Sequence, residues 1–332
     1  MLPIEPINLN GENIDEPTIV PGFDRAEEKA VKAIQKHSIK INGLQYNRKI
    51  DEAYLLLGQA RYFDRRFFPA LEAFNFLLES GANQNVYLQG KIWREKTNIR
   101  LKNYQLAIKN LRPLAMRLIS QNKHFSAANA TLASAFINLK EIDSVRFYIK
   151  RAALKAPKRK LKARYLFITG QLFERLGKKD SALWAYQEII ALKRKAPRKF
   201  LIQAKIKKTL LDSSALFEDR VQTLYDLIKN FENLPYQHVL NRSIGTLYLQ
   251  EDQDSTALVY FEKSLQSPSI DSFTQIENYQ DLAGYNFEKG NYLETGSYLD
   301  KLLPLYEENS AAYKKLKRNL KKLKYFQDQA VL

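Results

Sequence analysis

The sequence has no cysteine, three histidines and two methionines in 332 residues. Missing thiols exclude disulfides, thiolate metal sites and cysteine nucleophiles together. His37, His124 and His238 are far apart, and no pair has the i, i+4 spacing of a helical zinc site, so no metal and no cofactor are expected. Turn formers are scarce: 12 glycines and 11 prolines fall well below the usual share of about 12%, which disfavours many short strands and favours long helices. No apolar run approaches the roughly 18 residues that span a bilayer. Apolar residues still make up 45%, enough to bury a core. There is no G-x-S-x-G elbow. Gly170 and Gly177 are too far apart for a phosphate loop, and Lys179 stands where that loop needs Ser or Thr. Acidic neighbours such as Glu27-Glu28 and Glu307-Glu308 point to different sides of a helix and suit no acid/base pair. No catalytic residue is nominated, and the chain reads as non-enzymatic.

The ends differ from the middle. Pro3, Pro6, Pro17 and Pro21, with an acidic bias, make 1–23 an extended segment. Asp24 as N-cap and Glu27 three residues on form a capping box that predicts a helix over Arg25–His37, with 24–49 a leading helix and linker. Ser310 is positioned to cap a last, basic helix in 310–332 whose Tyr313, Leu316, Leu320 and Leu323 share a face. Met1-Leu2-Pro3 does not begin a signal peptide, and both ends read as cuts in a longer protein.

Between them runs a repeat near 37 residues. Gly58, Ala70 and Phe74 recur at the same spacing as Gly170, Ala182 and Tyr186, and as Gly245, Ala257 and Phe261. Weaker copies are Glu95–Ala107–Leu111, Leu132–Ser144–Tyr148 and Ala283–Thr295–Leu299, with a degenerate copy around Val221–Tyr225. A small residue in one helix lets a second approach, and an aromatic one turn after the second small residue fills the space between them. Each hairpin leaves an apolar face that only the next covers, so the units must stack. Turn signals at Gly177–Asp180, Glu251–Asp254 and Lys289–Asn291 fall between paired helices, and Pro157, Pro197 and Pro268 follow second helices. The pattern resembles the tetratricopeptide repeat. It implies an all-α, right-handed superhelix of about seven helical hairpins over 50–309.

Acidic residues are in deficit, 36 against 53 basic, for a net charge of +17. Lys150–Arg164 and Lys193–Lys208 each carry eight basic residues and no acid. The two runs occupy equivalent junctions, so stacking predicts a basic ridge that includes Lys155, Lys158, Arg159, Lys160, Lys195, Arg198 and Lys199. Such a ridge is either a solvated edge or a docking site for an acidic partner, anionic lipid head groups or nucleic acid. Helix phase also predicts a concave face bearing Gln59, Tyr62, Lys96, Arg100, Asn129, Arg164, Gln171, Arg175 and Arg242, donors suited to carboxylates or extended peptide.

Three stretches carry a closer likeness, D-E-A-Y-L-L-L-G-Q-A-R-Y-F-D-R-R-F-F-P-A-L-E-A-F (51–74), K-I-W-R-E-K-T-N-I-R-L (91–101) and A-R-Y-L-F-I-T-G-Q-L-F-E-R-L-G-K-K-D-S-A-L-W-A-Y-Q (163–187), and the second is much more specific than a generic repeat. With A-I-Q-K-H-S (33–38), they resemble the PorW/SprE-type lipoproteins of Bacteroidetes type IX secretion and gliding motility. The resemblance runs from about Asp24 to Asp300. It implies a periplasmic, outer-membrane-anchored scaffold whose protein partners are the motor, ring and translocon components, and it supplies no catalytic residue. The signal peptide and lipidated cysteine of that family are not in this sequence. A basic helical-repeat protein that binds nucleic acid is the alternative. The aromatics sit mainly at packing positions, not interleaved with the basic runs, which makes nucleic acid the weaker reading.

Overall fold

Every spaced small–aromatic pair falls within a helical hairpin. The computed structural model describes residues 22–330 apart from 42–43, 48, 81–82 and 309, so the segment expected to be extended lies outside the described residues up to 21. Helix α1 (Phe23–His37) leads into a two-stranded antiparallel ladder, β1 (Lys40–Ile41) with β2 (Leu44–Gln45). Seven hairpins follow: α2 (Lys49–Phe63) with α3 (Phe67–Glu79), α4 (Gln84–Arg100) with α5 (Tyr104–Arg117), α6 (Phe125–Asn138) with α7 (Ile142–Leu154), and α8 (Arg159–Arg175) with α9 (Lys179–Ala191). The last three are α10 (Arg198–Leu211) with α11 (Phe217–Lys229), α12 (Gln237–Gln250) with α13 (Asp254–Leu265), and α14 (Ser272–Glu288) with α15 (Tyr292–Leu302). Helix α16 (Ala311–Ala330) packs on α15 and is capped by Ser310, whose Oγ accepts from the Tyr313 N–H at 3.1 Å. The chain divides into two compact units, residues 1–200 and 201–332, and the division falls inside α10.

The first helix differs from its expected start. It begins at Phe23 with Gly22 in the cap position at φ 106°, and no side chain caps it. Glu27 does not complete a capping box. Its carboxylate accepts from Arg61 Nε at 2.8 Å and pairs with Arg66, tying α1 to the first hairpin.

The small residues work by letting helices approach. A Cβ at Gly170 would lie 2.6 Å from the Tyr186 ring, inside any tolerable contact, and Tyr186 itself is fully buried. Gly58 stands in the same relation to Phe74, and Gly245 to Phe261. Where the second-helix partner is a leucine, the first helix carries a side chain: Glu95 opposite Leu111 in the second hairpin, and Ala283 at the same position as these glycines in the seventh.

Hairpin turns are closed by one left-handed residue each in six of the seven: Arg65, Lys102, Lys140, Gly177, Asp252 and Gly290, with φ between 56° and 78°. The next N–H then returns to a carbonyl five residues back, as in Asn103 N–H to Asn98 O at 2.8 Å and Lys178 N–H to Phe173 O at 2.9 Å. This satisfies helix-end carbonyls that would otherwise lack a donor. A side chain with a Cβ is strained there by roughly 1 kcal/mol. Lys102→Gly is therefore expected to stabilise the second hairpin by up to about 1 kcal/mol, read as a raised urea midpoint at unchanged slope; a lowered midpoint would count against a strained turn.

Candidate functional site

The face predicted to be concave is partly interior. Asn129 is fully buried, donating to Phe125 O at 2.8 Å and accepting from Arg151 Nε at 3.1 Å, so it is a strut between α6 and α7 and not a groove donor. Tyr62 packs edge-on against Phe63, Phe67 and Trp93, and burial raises its phenol pKa; it too belongs to the core. In the second unit, Arg242 is consumed by α14: Nε donates to Glu277 at 2.9 Å, and the other nitrogens donate to Asn278 and Asp281 at 2.8 Å. The same unit pairs buried His238 with Asp271 at 2.9 Å and ties Asn278 to Ser264 at 2.7 Å. These buried polar links were invisible in the repeat pattern.

The first-helix face of the first unit brings together four cations and two glutamines. Lys96 and Arg100 come from α4, Arg164, Gln171 and Arg175 from α8, and Gln59 from α2. Gln59, Arg164 and Gln171 are half-buried and Arg175 is exposed. Arg100 lies over the Phe67 ring at 5.2 Å, and Lys96 over Trp93 at 4.1 Å. Gln171 Oε1 is buried without a hydrogen-bond donor. Burial, and then the positive charge of Arg164, lower the Lys96 pKa to about 8. Burial is the larger cause, and the smaller one, the charge of Arg164, adds positive potential that a carboxylate would offset.

That shift has a sign. Between pH 8 and the ordinary lysine value near 10.4, the unfolded chain holds a proton at this position that the folded chain has released. Stability contributed by Lys96 therefore rises with pH across that window and is flat below it. Lys96→Met should remove the slope; a wild-type and variant pair that run parallel from pH 8 to 10 would refute the assignment.

The predicted basic ridge occupies the turns after α7 and α9. Lys155, Lys158, Arg159, Lys195 and Lys199 are exposed, while Lys160 and Arg198 are half-buried. Other members of the two runs have structural duties: Lys150 covers the Trp184 ring at 5.3 Å, Arg151 covers Phe125 at 4.8 Å, and Lys162 pairs with Glu188 at 3.8 Å. The Lys162–Glu188 pair joins the start of α8 to the end of α9, so the two turns lie side by side.

Among solved structures, a tetratricopeptide repeat protein from Parabacteroides merdae superimposes with a TM-score of 0.58 at 12% identity, covering 81% of this chain and 98% of its own. The fold is a tetratricopeptide-repeat solenoid. The C-terminal part of a repeat protein of this kind from Cytophaga hutchinsonii aligns over 89% of this chain and 94% of its own, at 11% identity and a TM-score of 0.46. No family model and no curated protein matches the sequence. In such a solenoid the successive first helices form one continuous surface and the junction turns form its edges, which is where the two cationic regions of the first unit lie.

Proposed function

We propose that the protein is a non-enzymatic scaffold of the type IX secretion and gliding machinery, periplasmic and associated with the outer membrane, which gathers protein partners on its repeat surfaces. The observation that carries the interaction reading is the grouping of cations on the first-helix face: Lys96 within range of the Arg164 charge, with Arg100 one turn away on α4. Within the first unit the stacked first helices supply an ordered surface, and the K-I-W-R-E-K-T-N-I-R segment that supports the type IX assignment lies in the helix bearing Lys96 and Arg100. The partner chemistry that fits is an extended segment with a carboxylate, because an opposite charge beside Lys96 favours its protonated form.

Two measurements test this. Affinity capture from nuclease-treated envelope extract should retain motor, ring or translocon proteins on the wild type and lose them on K96E/R100E. Proteins retained only when the nuclease is omitted, or capture unchanged by the substitutions, would overturn the reading. Binding of a captured partner's peptide at pH 8–8.5 should also take up a proton, seen as a calorimetric heat that depends on the buffer's ionisation enthalpy.

A further inference from the structure

We infer that one edge of the first unit is a docking surface for an anionic lipid bilayer. Three helix junctions meet along it, and a side-chain contact links each to the next. The turn between α5 and α6 adjoins the end of α7, because Ser126 Oγ at the start of α6 donates to Ala152 O at 2.9 Å. The turn after α7 adjoins the turn after α9 through Lys162 and Glu188 at 3.8 Å. Residues 117–124, 150–162 and 191–200 contain no acid, so this edge is cationic along its whole length. Glu188, the nearby carboxylate, is already paired.

Charge alone would suit any polyanion. The second feature is that bare aliphatic side chains stand among the cations. Ile119 is 69% exposed, Met116 62% and Leu154 54%. They share the α5–α6 and α7–α8 junctions with exposed Arg117, Lys123, Lys155, Lys158 and Arg159. Single-stranded nucleic acid gains little from protruding aliphatics, since its bases stack on aromatic or guanidinium planes. A bilayer interface uses both: apolar side chains enter the boundary between head groups and acyl chains, and the lysines meet anionic phosphates. Each signal alone gives weak, reversible attachment, and the two together hold a surface in place. This surface is independent of the first-helix face argued above.

The test is co-sedimentation of the whole chain with phosphatidylcholine vesicles, with and without phosphatidylglycerol. Wild type should bind only the anionic vesicles. K155Q/K158Q/R159Q should weaken that binding about 100-fold, and M116S/I119S/L154S should weaken it about tenfold or more. All six positions are exposed, so circular dichroism should find both variants folded like wild type. A single-stranded RNA oligomer is the control. If the apolar variant binds vesicles as tightly as wild type, or if RNA binds as tightly as the anionic vesicles and displaces them, the edge is a general polyanion surface and the inference fails. If K155Q/K158Q/R159Q sediments like wild type, the edge is not the site.

Discussion

Tyr186→Ala should cost about 3–5 kcal/mol, the range for truncating a fully buried aromatic. The ring is enclosed by α8 and α9, tilted against Phe167 at 5.7 Å, and its hydroxyl donates to Glu174. Removing only that hydroxyl, in Tyr186→Phe, should cost about 1 kcal/mol, so nearly all of the effect lies in the ring. Gly170→Ala attacks the same contact from the other side. Its Cβ would arrive 2.6 Å from ring carbons, an overpacking expected to cost about 1–3 kcal/mol. The two should not add. In G170A/Y186A the smaller partner makes room for the methyl group, as Leu111 does for Glu95 in the second hairpin. The cycle should therefore return a favourable coupling of about 1 kcal/mol or more. Because repeats open in part, the readout is amide exchange in α8 and α9 alongside urea unfolding. An additive cycle would mean that the small–aromatic pair is not the packing unit of the repeat.

That pair is what made the fold legible. Spacing between a small residue and an aromatic reports a close helix crossing directly, so Gly58, Gly170 and Gly245 identified their hairpins from sequence. Turns were legible only where glycine or an Asp-rich stretch occupied them. Lys102 and Lys140 take the same left-handed conformation as Gly177, but a lysine carries no sign of it. The fifth hairpin uses a different device. There buried Arg220 donates to Thr209 O at 3.0 Å and to Leu210 O at 3.0 Å, satisfying the end of α10 with a side chain. Its turn, Asp212-Ser213-Ser214, holds no left-handed residue, and the Ser214 N–H donates to Asp212 Oδ1 at 3.2 Å.

The surfaces were legible to a lesser degree, for a related reason. Helix phase places a residue on a face, but whether that face is open depends on side chains a whole repeat away. Arg242 was expected as a groove donor and meets partners 35 to 39 residues further on. Asn129 was expected in the groove and is held by Arg151 from the next helix. The basic runs fared better, since a junction turn has fewer neighbours to cover it. Even there, Lys150, Arg151 and Lys162 serve packing, and their contacts with Trp184, Phe125 and Glu188 set them apart from exposed Lys155 and Lys158.

Glu95→Ala is the second large effect expected. Its carboxylate is 1% exposed and accepts from Arg94 Nε at 2.8 Å, Asn98 Nδ2 at 2.6 Å and Asn110 Nδ2 at 3.0 Å. Glu95 occupies the position that is glycine in the first, fourth and sixth hairpins, and spends the space left by Leu111 on a polar anchor between α4 and α5. Alanine would leave a cavity and would strip an acceptor from Asn98 and Asn110, both too enclosed to turn fully to water. Removing one partner of a buried charged network costs about 3–5 kcal/mol. An exposed pair such as Lys49–Glu52, at 3.1 Å on the surface, should cost less than about 0.5 kcal/mol when Lys49 is replaced by alanine. Glu95→Gln keeps the shape and one acceptor oxygen, so it should fall between these limits, at about 1.5–3 kcal/mol, for the loss of charge-assisted bonds. If Glu95→Ala and Lys49→Ala move the urea midpoint equally, the carboxylate is hydrated in solution and the anchor does not exist. If the ranking holds, the position that breaks the repeat's glycine rule is also one of those holding the second hairpin together.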